Sequence, residues 1–327
     1  MKLQILVPQY KETDEVVKPL LDSLAIQQNV DFSEIGVIIC NDGTDVKLSA
    51  DFLNSYPFKV DYHQCEHRGV SATRNACLDR ATAKYVMFCD ADDMFYSAIA
   101  LRMLFDEMDK GNGFDALISV FVEESRHPET KMPIYINRVN DVTFVHGKVY
   151  SLDYLKRNKI RWNDKLTVHE DSYFNCLCRL LVGHDRGRYC QNSFYLWKWR
   201  DESVCRHDPL YLNKTYVNML DSNSELIREL IKRGMQDAAR FYSVSMIYDV
   251  YYSLNHDRWW SEEGHEYLER TERRFKEYWQ EFKHFYENSP EPEQMQIVSG
   301  IRNRFFKEGL KLERITFADW IKHIEAM

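Results

Sequence analysis

Apolar and polar positions alternate along the first 123 residues in two rhythms. LQILV (3–7), IGVIIC (35–40), FKVDYH (58–63), KYVMFC (84–89) and DALISVFV (115–122) are short apolar runs rich in β-branched and aromatic residues. Such runs predict strands. The stretches between them, about 13–28, 46–54, 70–82 and 97–110, carry the three-to-four spacing of helices. Strand alternating with helix predicts βαβ units and a mainly parallel sheet with helices on both faces. Ligands of such sheets bind beyond the carboxyl ends of the strands, which puts Pro8–Glu12, Asn41–Asp45 and Asp90–Asp93 on one rim.

Farther along, MPIYINRVNDVTFVH (132–146) predicts an irregular β-hairpin, with helices near 151–158 and 171–182 and a strand at 188–197 returning to the sheet. From about Pro209 the pattern is helical to the end, with a break at NSPEPEQ (288–294). The expected organisation is an α/β domain over 1–208 and an all-helical domain over 209–327, since single cores stop growing at roughly 250 to 300 residues. The aromatic group Tyr248, Tyr251, Tyr252, Trp259 and Trp260 could stack on sugars or bases, but such a stripe is more often helical core. EEGHEYLERTERRFKEYW (262–279) predicts a solvated amphipathic helix.

Composition narrows the class. An apolar fraction of 44% with 14% aromatic residues belongs to a folded globular chain. The net charge of −8 is spread evenly, with 17 Lys+Arg against 21 Asp+Glu in residues 208–327 and 26 against 30 in the rest. No half has the basic footprint of a duplex-coating protein. The eight cysteines form no CxxC pair and read as reduced, buried thiols. The amino terminus is too short in apolar residues for a signal peptide, and no window approaches the roughly 20 apolar residues of a spanning helix. The expected location is cytoplasmic, or peripheral to a membrane through a surface patch.

KYVMFCDADD (84–93) poses the chemical question, because an apolar run ends in three acids within four positions. Crowded carboxylates repel one another unless a cation sits among them, or unless they merely cap the next helix. Alone, the stretch leaves both readings open. Taken with the other rim segments, it resembles glycosyltransferase family 2, the inverting GT-A sugar-nucleotide transferases. VPQYKET looks like the family's opening P-x-Y-N-x-E, with Lys11 in place of asparagine, and SLAIQQ (23–28) resembles its S-ψ-x-x-Q helix end. CNDGTD (40–45) is similar to D-D-G-S-x-D with Asn41 for the first acid. HRGVSATRNACLDRATAKYVMFCDADD (67–93) matches the longest signature; VHEDSYF (168–174) and YLWKWRDESVCR (195–206) resemble the later segments. The resemblance covers about residues 1–206, and six matches in order are far more specific than a lone DxD.

The resemblance implies a GT-A nucleotide-diphospho-sugar transferase fold, a Rossmann-like mixed sheet, followed here by the helical domain. It implies a nucleotide-sugar donor, preferentially a UDP-sugar, contacted by Pro8, Tyr10, Glu12, Asp42, Arg74, Asp90 and Ala91. Asp42 would accept the base imide N–H, although an Asx turn with Gly43 explains NDG equally well. Mn²⁺ or Mg²⁺ would be held by Asp92, with Asp90 beside it and His207 completing the shell. A solvated loop histidine is the plain alternative for His207, and His146 and His169 have less pattern behind them. Asp171 would be the general base and Glu170 its alternate; helix-dipole stabilisation explains both acids without catalysis. The implied reaction is inverting transfer of a sugar to a hydroxyl acceptor, which could be a glycan, lipid, protein or modified nucleic-acid base. A nucleotidyltransferase, or a catalytically inactive nucleotide- or glycan-binding module, are the alternatives; VPQYKETDE lacks the glycine-rich phosphate loop expected of the former.

Overall fold

Near-continuous apolar runs bury both faces of a strand, and β1 (Leu3–Gln9) and β2 (Ile35–Asn41) are buried almost throughout, as parallel strands covered on two sides must be. The structure, a computed structural model, describes residues 1–201, 208, 210–259, 261–307, 309 and 315–327. The other strands are β3 (Lys59–Gln64), β4 (Tyr85–Phe88), β5 (Met94–Phe95), β6 (Ala116–Arg126), β7 (Pro133–Arg138), β8 (Lys148–Ser151) and β9 (Gly187–Trp197). Their order is β3-β2-β1-β4-β8-β6-β9-β5, with β7 added on β6. The β3-β2-β1-β4 half is parallel, while β8 enters antiparallel between β4 and β6. The sheet is therefore a mixed, GT-A-like one.

Helices α1 (Asp14–Ala25), α2 (Ala50–Asn54), α3 (Val70–Arg80), α4 (Ala100–Asp109), α5 (Leu152–Arg157) and α6 (Glu170–Leu181) complete this part. Leu3, Ile5 and Val7 share one core with Val17, Leu20, Leu21 and Leu24 of α1 and Leu101, Leu104 and Phe105 of α4. Helix α3 packs on β1 and β2. It is unusual in burying polar side chains: Ser71 donates to the Leu166 carbonyl (2.9 Å), and Asn75 donates to the Trp162 carbonyl (2.9 Å) and accepts from its N–H (3.0 Å). The helix thus clamps the 162–166 loop that leads to α6.

Three expectations need correction. The segment 132–146 is not a self-contained hairpin: β7 pairs with β6, Phe121 opposite Arg138 through Arg126 opposite Pro133. Only Ala50–Asn54 of 46–54 is helical, because the Val46 carbonyl is engaged by the Gln9 and Asn41 amides (3.1 and 2.7 Å) and Ser49 caps α2. The 288–294 break shrinks to Asn288–Pro290, with Pro292 accommodated in the first turn of the next helix.

The chain divides into two compact units, Met1–Asp201 and Glu202–Met327. The second contains helices Tyr211–Lys232, Gln236–Leu254, Glu262–Glu287, Glu291–Lys307 and Phe317–Ala326. Tyr251, Tyr252 and Trp259 are buried in it, so the plain core reading holds for them; Trp260 lies outside the described residues. The 262–279 run is amphipathic as expected, burying Leu268, Phe275, Tyr278 and Trp279 and pairing Glu269 with Arg273. No helix among the described residues is long and apolar enough to cross a membrane.

Asn41, fully buried at the end of β2, donates to the Val46 carbonyl (2.7 Å) and accepts from Thr44 N–H (2.8 Å). A carboxylate there could not donate and would face that carbonyl, so Asn41→Asp should lower stability by about 2–3 kcal/mol. Urea denaturation measures it; an unchanged midpoint would mean the amide is not the donor.

Candidate active site

Three strand ends and one helix converge on a cavity of about 440 Å³. Pro8 lies near the end of β1 with Tyr10 and Glu12 just beyond it, Asp42 follows β2, Asp90, Ala91 and Asp92 follow β4, and Arg74 comes from α3; all line it, with His67 and Gly69. The donor-side candidates read from the sequence are thus gathered in one place. Glu170 and Asp171 do not line that cavity, but Arg74 ties them to it. His207 lies outside the described residues.

Arg74 is the hub. Its Nη1 donates to Glu170 Oε1 (2.9 Å) and Asp171 Oδ1 (3.0 Å), and its Nη2 to Asp90 Oδ1 (3.0 Å). The side chain is only 4% exposed, and the guanidinium lies 4.4 Å from the centroid of the Trp162 ring, which stacks on Phe174. Burial disfavours the charge on Arg74, but Asp171, Asp90 and Glu170 outweigh it and push its pKa up. One cation among three carboxylates leaves the group short of positive charge. Asp171 shows it: burial, then Glu170 and Asp90, raise its pKa to about 7 against the opposing pull of Arg74 and of the Val145 N–H (2.8 Å). The pair opens α6 just after His169, whose backbone is left-handed (φ 61°), a conformation costing a non-glycine residue roughly 1 kcal/mol.

The three acids after Cys89 divide their tasks. Asp93 does not cap α4. It is buried, accepts from the Tyr195 hydroxyl and from Lys198 N–H (2.9 Å), and Tyr195 in turn accepts from Asp90 N–H (3.1 Å). Burial and the neighbouring Asp92 and Asp90 push the Asp93 pKa well up. Asp92 accepts from Arg200 Nη1 (2.6 Å), a residue the sequence reading did not single out. Beneath them, Asp90, Asp93 and His146 each bring one potential ligand atom to within 4.8 Å of the others. His146 is buried, its Nδ1 makes no hydrogen bond among the described residues, and burial holds its pKa down at about 3. Carboxylate oxygens on Asp90 and Asp93 with the neutral His146 imidazole make an oxygen and nitrogen donor set that suits a divalent cation, and Asp92 lines the cavity beside Asp90. The donor set therefore fits a metal, with His146 the histidine brought to the acids.

The family model described as "Glycosyl transferase family 2" matches residues 4–174, and the chain belongs to that family. Among curated proteins, minor teichoic acid biosynthesis protein GgaB of Bacillus subtilis is 25% identical over 248 residues, 70% of this chain and 27% of that protein. Poly(ribitol-phosphate) beta-N-acetylglucosaminyltransferase TarS of Staphylococcus aureus is 26% identical over 187 residues, 53% of this chain and 32% of that protein. The chain spans about a quarter to a third of the length of these curated relatives. The crystal structure of TarS 1–349 superposes with a TM-score of 0.62 at 15% identity, over 94% of this chain and 92% of that one. Its complex with UDP-GlcNAc gives 0.53 at 20% identity, over 69% and 66%. The shared fold is that of GT-A transferases.

Arg74→Ala would leave three carboxylates facing one another without their cation and should cost about 3–5 kcal/mol, read as a lowered denaturation midpoint. The pH dependence has a definite sign. Native Asp171 keeps its proton up to about 7, whereas the unfolded carboxyl loses it near 3.8. Its contribution to stability therefore falls as pH rises between those values. Asp171→Asn should gain on the parent chain by at least about 1 kcal/mol between pH 4.5 and 7.5; parallel pH profiles would show that the carboxyl titrates alike in both states.

Proposed function

We propose that the chain is a metal-dependent inverting glycosyltransferase that moves one sugar from a nucleotide donor, preferentially a UDP-sugar, to an acceptor hydroxyl. Family membership supports the class, and the observation that carries the reading is Arg74, which joins the acid of the donor cavity to the candidate base. The names of GgaB and TarS, teichoic acid biosynthesis and poly(ribitol-phosphate) transfer, support a hydroxyl of a polyol-phosphate polymer as the acceptor. The helical unit is then available to shape acceptor choice.

In this reading Pro8, Tyr10, Glu12 and Asp42 enclose the nucleoside, and Arg74, Asp90 and Ala91 border the diphosphate. Mn²⁺ or Mg²⁺ held by Asp92 and Asp90 would offset the charge that develops on the departing diphosphate. Arg200, now on Asp92, offers a second positive charge on the same side. Asp171 takes the proton from the acceptor oxygen as that oxygen bonds to the anomeric carbon and the bond to the diphosphate breaks on the opposite face. A base with a pKa of about 7 is matched to this task near neutrality. Its two oxygens are held by Arg74 and by Val145 N–H, which fixes their direction.

A thermal-shift screen of nucleotide sugars with Mn²⁺ tests the class, since a ligand of the native state raises the midpoint. UDP-sugars should raise it, and no response to any nucleotide sugar would overturn the reading. Asp171→Asn should keep donor affinity and lose transfer by about 10²- to 10⁴-fold; lost donor affinity would reassign the residue. Because the base must be ionised, the transfer rate should climb as pH rises through about 7, and a rate flat from pH 5.5 to 8 would exclude Asp171 as the base.

A further inference from the structure

At the nucleoside end of the cavity, the acid expected to read the base is already fully engaged. Asp42 Oδ1 accepts from Arg68 N–H (2.9 Å) and Gly69 N–H (3.2 Å), and Oδ2 accepts from Gly69 N–H (3.1 Å) and faces His67 Nδ1 at 3.0 Å. A carboxylate offers about four lone-pair positions, and three donors surround them: Arg68 N–H on one oxygen, His67 on the other, and Gly69 N–H shared between both. The same His67 Nδ1 lies 3.1 Å from the Asp42 carbonyl oxygen. Both neighbours are acceptors, which assigns the proton to Nδ1 and leaves Nε2 of the neutral ring as an acceptor.

The ring is fixed from two further directions. Tyr10 stacks on it, with centroids 5.0 Å apart and planes 21° from parallel. Gly43, with φ +72°, lets the two loops meet and so holds the His67 backbone in place: a Cβ there would lie 2.4 Å from the His67 backbone nitrogen. Yet the side chain is 60% exposed and lines the cavity beside Pro8 and Tyr10.

We propose that His67 reads the nucleobase, its Nε2 accepting the N3–H of uracil, and that Asp42 is the positioning residue that fixes its tautomer. This rests on the nucleotide-sugar reading of the cavity. Cytosine carries a lone pair at N3 and would set acceptor against acceptor, so the site selects uracil by the direction of one hydrogen bond.

Isothermal titration of the full chain at pH 8 with Mn²⁺ and UDP, CDP or 3-methyl-UDP tests the assignment. The parent chain should bind UDP at least about tenfold more tightly than CDP or 3-methyl-UDP. His67→Phe keeps a ring against Tyr10 but has no acceptor, so UDP should weaken about tenfold and both ratios should fall toward one. Asp42→Asn, which loosens the tautomer, should move the ratios the same way. Ratios unchanged in His67→Phe, or an equal loss for all three nucleotides, would overturn the role of His67. No binding of any of the three to the parent chain would overturn the nucleotide-site reading itself.

Discussion

One buried guanidinium organises this molecule's chemistry. Arg74 reaches Asp90 after β4, 16 residues along the chain, and Glu170 and Asp171 at the start of α6, 96 and 97 residues along. A buried charge is tolerated only when paired and hydrogen-bonded, so the three carboxylates and the arginine require one another. Their placement depends on packing that is itself apolar. Trp162 lies between the guanidinium and Phe174, and Phe88 of β4 meets both rings edge-on. Core packing and charge geometry are therefore one arrangement, and burial, with Glu170 and Asp90 adding to it, lifts Asp171 into the range where a proton can be exchanged near neutrality.

A second buried network sets the acids in register with the returning strand. Asp93 and Tyr195 join the loop after β4 to β9, and β5 pairs Met94 and Phe95 with Leu196 and Tyr195. The same strand end delivers Arg200 to Asp92. Asp93 thus spends its carboxylate holding two loops together, while Asp90 and Asp92 keep their access to the cavity.

The parallel half of the sheet was legible because β1, β2 and β4 are buried on both faces and announce themselves as unbroken apolar runs. Their carboxyl ends then placed Pro8, Tyr10, Asp42, Asp90 and Asp92 together on topology alone. Strands β5 and β8 were not legible, since two and four residues carry too little pattern and their pairing is decided by distant partners. Nor could local sequence reveal which acid Arg74 would bind: it touches three, and a helix pattern says nothing about any of them. Arg200 and His67 were not singled out, and His146 was ranked below His207, for a related reason, because a single arginine or histidine has no periodicity. For His67 the usable signal was its place two residues before Gly69, and for Arg200 its place in the stretch that follows β9. Asn41 was read as a departure from the family's acid, and the Val46 carbonyl it serves supplies the reason a neutral donor stands there.

The central claim is that Arg74 holds Asp171 in a buried cluster short of positive charge, where it titrates near neutrality. Carbon-13 NMR of aspartate side-chain carboxyls, assigned by comparison with Asp171→Asn, measures that titration directly. A midpoint of about 7 is expected. A carboxyl resonance that titrates near 4, as an ordinary exposed aspartate does, would contradict the account.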